Sequence, residues 1–344
     1  MTYPTFEQYN QVFQSHQNFI SDNDLKFGNI KKSGLGVPLA ISGGFALTYT
    51  IENKGTKFAV RCFHKESKGL LQRYTAISQK LKSLNSSFFV NFDFLNNGIC
   101  VNGNHYPIVK MAWAQGETLG EFLEKNYKNK AALNNLSKKI KELSEFLGKN
   151  NISHGDLQMG NIMVSDNGKA IQLIDYDGMY IGSISKLGSS ELGHINFQHP
   201  LRAVENPFND KLDNFSFITL WLGLQSLILD ASIWDKSQSD SDSLVFKVDD
   251  FENPENSKTI NLLMSYPQLT IYVTNYIKIC LVDQFKKIPT LSDFIDNQIN
   301  LEYIKLSSPS SFKINTYKSQ YPVISVLDFV KCECKYPKLS TQLT

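Results

Sequence analysis

Hydrophobic and polar positions change period twice along the chain. Phe6, Tyr9 and Phe13 carry helical spacing, and Gly28, Gly34, Gly36 and Pro38 then signal turns. From Leu39 short β-rich runs take over, at 46–51 and 57–63, parted by the turn residues Asn53, Lys54 and Gly55. Leu70, Tyr74, Ile77, Leu81 and Leu84 predict a helix over 70–84. Residues 88–94 and 98–111 read as two further strands. Thr118 followed by Glu121 is a capping box, and Leu133, Leu136, Ile140, Leu143, Phe146 and Leu147 line one face of a long helix stopping at Asn150 and Asn151. Helices are predicted over 213–229, 258–282 and 290–300, and the Ser/Asp-rich stretch 235–250 reads as a solvated loop. The strand-rich part gives way to the helix-rich part at 112–116, which predicts a two-lobe α+β architecture. The expected division is an N-terminal extension packing on the lobes (1–38), a small antiparallel lobe with one helix (39–112), a larger, mostly helical lobe (113–300) and a tail (301–344).

Composition narrows this picture. With 344 residues, 42% of them hydrophobic, the chain can bury a real core, and broad disorder is not expected. Lys+Arg 35 against Asp+Glu 33 leaves a net charge of +2, which calls for neither nucleic acid nor an anionic membrane as partner. The longest apolar run, 217–229, falls short of the ~18 residues of a membrane span. No signal peptide is visible, and five scattered cysteines make no disulfide framework, so a cytoplasmic protein is expected. Cys332 and Cys334 form a lone C-x-C pair without the spacing of a zinc site. The oligomeric state is not written in the chain.

The candidate chemistry lies in His154-Gly-Asp-Leu-Gln-Met-Gly-Asn161 and in Leu173-Ile-Asp-Tyr-Asp-Gly178. A turn at 166–168 joins the apolar runs after Asn161 and before Asp175, which places these two oxygen ligands at neighbouring strand ends, as Mg²⁺ prefers. Asp156 lies apart from them, free to accept a proton from an incoming hydroxyl. A base with a metal pair is the minimum equipment for phosphoryl transfer. Taken singly, each of these residues is an ordinary turn former.

From about 39 to 299 the sequence resembles the protein kinase superfamily, nearest its atypical bacterial branch. His154-Gly-Asp156 with Asn161 is similar to the catalytic loop H-R-D-L-x-x-x-N, and Asp175-Tyr-Asp177 stands where Asp-Phe-Gly is found. Ser42-Gly-Gly-Phe-Ala-Leu-Thr-Tyr49 resembles the glycine-rich phosphate loop, and Ala59-Val-Arg61 the strand of the phosphate-binding lysine. His199-Pro200, Asp213 and Cys280-Leu-Val-Asp-Gln-Phe-Lys-Lys-Ile-Pro-Thr290 resemble the activation-segment end, the aspartate that ties down the catalytic loop, and the closing motif of the large lobe. The resemblance implies a bilobal kinase-like fold with Asp156 as base and Asn161 and Asp175 as Mg²⁺ ligands. It further implies ATP held by Gly43, Gly44, Arg61, Met111 and Glu117, and a protein serine or threonine as substrate.

Several departures bear on function. Arg61 replaces lysine, and no acidic residue lies between Glu66 and Asp93, so the usual ion pair with a helix glutamate is expected to be missing. Gly155 and Gln158 replace two cations of the loop, and Leu201 and Ile288 replace both halves of a buried salt bridge. Asp177 reads equally as a second metal ligand or a turn former, while His194 and His199 read as packed histidines before substrate contacts. A pseudokinase or nucleotide-binding scaffold is the second functional reading, and a small-molecule phosphotransferase of the aminoglycoside or choline type the third.

Overall fold

The structure is a computed structural model describing residues 2–65, 69–299 and 301, which fall within one compact unit. Glu66, the tail from 302 and the Cys332–Cys334 pair lie outside the described residues.

The chain begins with α1 (Phe6–Phe13), capped by Thr5 and Gln8 in a capping box, and α2 (Asn23–Lys26), capped by Asp22. The strands β1 (Asn29–Ile30), β2 (Ala40–Ser42), β3 (Ala46–Asn53), β4 (Thr56–Phe63), β5 (Phe92–Val101) and β6 (Asn104–Ala112) form one antiparallel sheet. Its order is β1-β3-β4-β6-β5, with β2 also paired to β3. Helix α3 (Leu70–Leu84) interrupts the strands over the span that its apolar spacing predicts.

The sheet is buried on both faces. On one face Tyr9, Val12 and Phe13 of α1 pack against Tyr49, Ile51, Val60, Cys62 and Ile108. There Tyr9 donates to the Phe63 carbonyl, and Lys110 pairs with Asp22 at 2.9 Å and Asp24 at 2.6 Å. On the other face Phe63, Val109 and Met111 join α3 and the helices that follow in one large core.

A second, short sheet carries the loop chemistry. It pairs β7 (Glu117–Thr118) with β9 (Ile162–Ser165), and β9 with β10 (Ala170–Leu173), while β8 (Ile152–Ser153) pairs with β11 (Tyr180–Ile181). Helices α4 (Leu119–Asn126), α5 (Lys130–Lys149), α6 (Leu201–Glu205), α7 (Asn214–Leu229), α8 (Ile233–Lys236), α9 (Val248–Glu252), α10 (Lys258–Met264), α11 (Thr270–Cys280) and α12 (Leu291–Ile295) complete the unit. The molecule is thus α+β, an antiparallel sheet followed by many helices. Helix α7 is apolar almost all round and lies at the centre of the helical part.

Three local expectations are corrected. The strands after α3 are β5 and β6, not 88–94 and 98–111. Asn102 at φ 51° and Gly103 at φ 78° make a hairpin turn between them, the Asn-Gly signal of a tight turn. The helix expected over 258–282 is two helices, because Pro267 lacks the N–H that a continuous helix would use. The stretch 235–250 is not simply solvated, since Leu244, Val245 and Phe246 are buried in the core.

Candidate active site

The loop between β8 and β9 is fixed from beneath by α7. Asp213, the residue before that helix, is buried and accepts the backbone N–H groups of His154 at 2.5 Å and Gly155 at 2.8 Å. Its carboxyl is pushed up by burial, against the pull of His154 and these two donors. Two parallel amide bonds to one carboxylate set the loop's direction as it leaves β8. His154 Nδ1 accepts the Asp156 N–H, so the ring proton is on Nε2, which donates to the Ile174 carbonyl at 2.9 Å.

Asp156 is held through both carboxylate oxygens. Oδ1 accepts the His194 backbone N–H at 2.7 Å, and Oδ2 accepts Asn161 Nδ2 at 2.9 Å and Gln158 Nε2 at 3.1 Å. Asn161 Nδ2 also binds the Asp156 carbonyl at 2.9 Å, which leaves Asn161 Oδ1 as the atom available to a cation. Because Ile162 is registered against Leu173, Asn161 and Asp175 flank one end of the β9–β10 pair. The Ile174 N–H to Asn161 carbonyl bond at 3.0 Å closes that end.

Asp175 has φ 63°, a left-handed conformation that costs a non-glycine residue about 1–2 kcal/mol. Arg61, towards the C-terminal end of β4, donates Nη1 to Asp175 at 2.6 Å and Nη2 to Asp177 at 2.7 Å. Asp177 in turn accepts the hydroxyl of Tyr74 on α3. Burial opposes the charge of Arg61, but the two carboxylates hold its pKa well above the usual value. Burial likewise opposes ionisation of Asp175, yet Arg61 holds that carboxyl below its ordinary range, while burial wins at Asp177 and raises it.

The other nominated residues are spread around this centre. Gly43 and Gly44 form the exposed turn between β2 and β3, closed by the Gly43 N–H to Ala46 carbonyl bond at 2.8 Å. Met111 is buried on the face of β6 that shares its core with Phe63 and Tyr176. Glu117 is engaged by Lys125 of α4, and the box at that helix start uses Glu121 instead. His199 is a core histidine, as its reading anticipates: Nε2 meets the Ile279 carbonyl at 3.1 Å and Nδ1 accepts the Leu201 N–H. His194, half-buried, caps the short turn at 195–197 with its Nδ1.

Four site residues have no signal in the sequence. Tyr74 is one. Arg73, its neighbour on α3, donates across to the carbonyls of Leu187 and Gly188. Arg202 is fully buried and reaches the carbonyls of Gly155 at 3.2 Å and Glu191 at 3.4 Å. Glu191 lies beside the same loop. Burial pushes its carboxyl well above the usual range, reinforced by Asp156, Asp175 and Asp177. Each sits at an unremarkable position in the sequence; the packing of 187–202 gives Arg73, Glu191 and Arg202 their place, and the approach of Asp177 to α3 gives Tyr74 its own.

Among the described residues no group of three or more His, Cys, Asp or Glu side chains is arranged to hold a metal ion. The donor set still suits Mg²⁺ bound with nucleotide, because that ion takes one or two protein oxygens and completes its shell from phosphate and water. Asn161 Oδ1 and the half-exposed Asp175 carboxylate are such oxygens. No helix of the described residues is long and apolar enough to cross a membrane. No family model matches the chain, and no curated protein matches it significantly.

Proposed function

We propose that this chain is an ATP- and Mg²⁺-dependent phosphotransferase of two-lobed, protein-kinase-like design that phosphorylates serine or threonine in a protein. The single observation carrying this reading is the placement of Asp156, Asn161 and Asp175 around one strand end, with Asn161 bonded to Asp156 and Arg61 reaching Asp175 from the opposite sheet. Three turn formers with no joint role have no reason to converge there.

In this reading Asp156 is the base. Its carboxylate accepts three hydrogen bonds, so it is held in one orientation, from which it would take a proton from an incoming hydroxyl. Asn161 and Asp175 are the residues that would hold Mg²⁺, which, when bound, neutralises charge on the phosphates. Arg61 brings a fixed, forked cation to the phosphates, and the backbone of Gly43 and Gly44 can approach them closely because no β-carbon intervenes. Met111 lies on the sheet face that bears Arg61, where it would line the adenine side of the cleft.

One observation favours a nucleotide-binding scaffold as the second reading: Arg61 is ion-paired to the same Asp175 that the metal would need. Incubation with γ-labelled ATP, Mg²⁺ and generic protein substrates, alongside thermal shifts with Mg·ATP, separates the two. Phosphotransfer predicts labelling, together with a Mg²⁺-dependent shift. Asp156→Ala is then expected to reduce labelling ~10²–10⁴-fold without removing the shift. A shift with no labelling supports the scaffold, and absence of both overturns each reading.

A further inference from the structure

Three departures from the kinase pattern meet at one point of the structure. Arginine stands at position 61, aspartate at position 177, and tyrosine at position 74 on the helix expected to carry a glutamate. Arg61 and Asp177 are 116 residues apart, yet Nη2 and Oδ2 lie 2.7 Å from each other. We propose that Asp177, held by the Tyr74 hydroxyl, is the positioning residue that keeps Arg61 aimed into the cleft, in place of a helix carboxylate. This rests on the phosphotransferase reading for the identity of the ligand that Arg61 meets.

The geometry gives the two carboxylates different parts. The Asp175 side chain is 43% exposed and that of Asp177 only 14%, with Arg61 at 10%. Asp175 is therefore the partner open to solvent and free to turn to a cation. Asp177 remains behind as the permanent anchor. The Tyr74 ring is wedged against Phe63, Phe92 and Phe94, with centroids 5.3, 6.1 and 5.5 Å away, so packing sets where its hydroxyl lies. That hydroxyl occupies one oxygen of Asp177, and the other faces Arg61. The scheme also explains why arginine replaces lysine. A forked guanidinium holds two carboxylates at once and keeps one when the other leaves, which a single ammonium does less well.

The test is a double-mutant cycle read in Mg·ATP affinity, with melting temperature recorded for every variant. Asp177→Asn is expected to weaken binding ~10-fold in the native background but less than ~2-fold when Arg61 is already Gln, because the lost contact acts through Arg61. Tyr74→Phe should weaken binding ~3-fold and show the same dependence on Arg61. Equal losses in both backgrounds would assign Asp177 a general structural role and overturn the proposal. If the Arg61→Gln chain does not fold, Arg61→Lys serves instead, and the Asp177→Asn penalty in that background should fall below ~3-fold. Should the native protein bind no Mg·ATP, the phosphotransferase reading fails by itself. The cycle is then read in melting temperature, where additive losses for Arg61 and Asp177 overturn the anchoring and clearly non-additive losses uphold it.

Discussion

A methyl group at position 155 has no room. Gly155 lies at φ 83°, and a β-carbon built there would stand 2.2 Å from the Gly178 carbonyl oxygen, a backbone atom that cannot swing aside. Position 155 is thereby confined to glycine: the chain passes too close for any side chain, and Arg202 enters from α6 to bind the Gly155 carbonyl. Gly155→Ala combines left-handed strain with this clash, and we expect a loss of about 2–4 kcal/mol. Urea denaturation checks it, and an unchanged midpoint would mean that the loop has another way to pass Gly178.

Elements in this protein are delimited by single residues and assembled by what they bury. Pro267 parts α10 from α11, and Asn102-Gly103 parts β5 from β6. The stretch after α8 is the instructive case, because its composition reads as solvent-exposed although its middle is core. Phe246 is fully buried with its ring centroid 4.8 Å from that of Tyr276 on α11, and Leu244 packs against Gly223 of α7. Phe246→Ala is expected to cost about 3–5 kcal/mol in chemical denaturation. A true surface-loop position would lose less than about 0.5 kcal/mol, and that smaller value would contradict the packing described.

For the molecule as a whole, acid stability should carry the mark of one histidine. Burial pushes His199 down to about 4 from its ordinary 6.5, against the opposing effect of its bonds to the Ile279 and Cys280 backbone. Its folded pKa is depressed, so the unfolded chain binds the proton first as pH falls. Stability from this group is complete above about pH 6.5 and is lost between there and about pH 4. The shift corresponds to about 3 kcal/mol. Glu191 acts with the opposite sign, since its raised pKa weakens the fold as pH rises above the ordinary carboxylate range. The comparison is therefore native protein against His199→Gln, in which Glu191 is common to both. The two stability profiles should converge towards pH 4 and separate towards pH 7. Parallel profiles would show that His199 does not titrate with unfolding.

Local order was legible in the chain because it depends on near neighbours. Helical spacing located α3, the capping box located the start of α4, and the hairpin turn located the β3–β4 join, all from interactions spanning a few residues. Asn161 and Asp175 at one strand end were legible for the same reason, since a short hairpin connects them. Arg61 was legible as a cation at the expected strand position, but not its partners. Asp175 and Asp177 are more than a hundred residues away, and neither charge nor spacing specifies a contact over that distance. The buried Arg202, the Glu191 carboxyl and the Tyr74 hydroxyl were likewise decided only in three dimensions. A polar group leaves water at a given place only when the surrounding elements close over it and satisfy it, and that closure is a property of the packed chain.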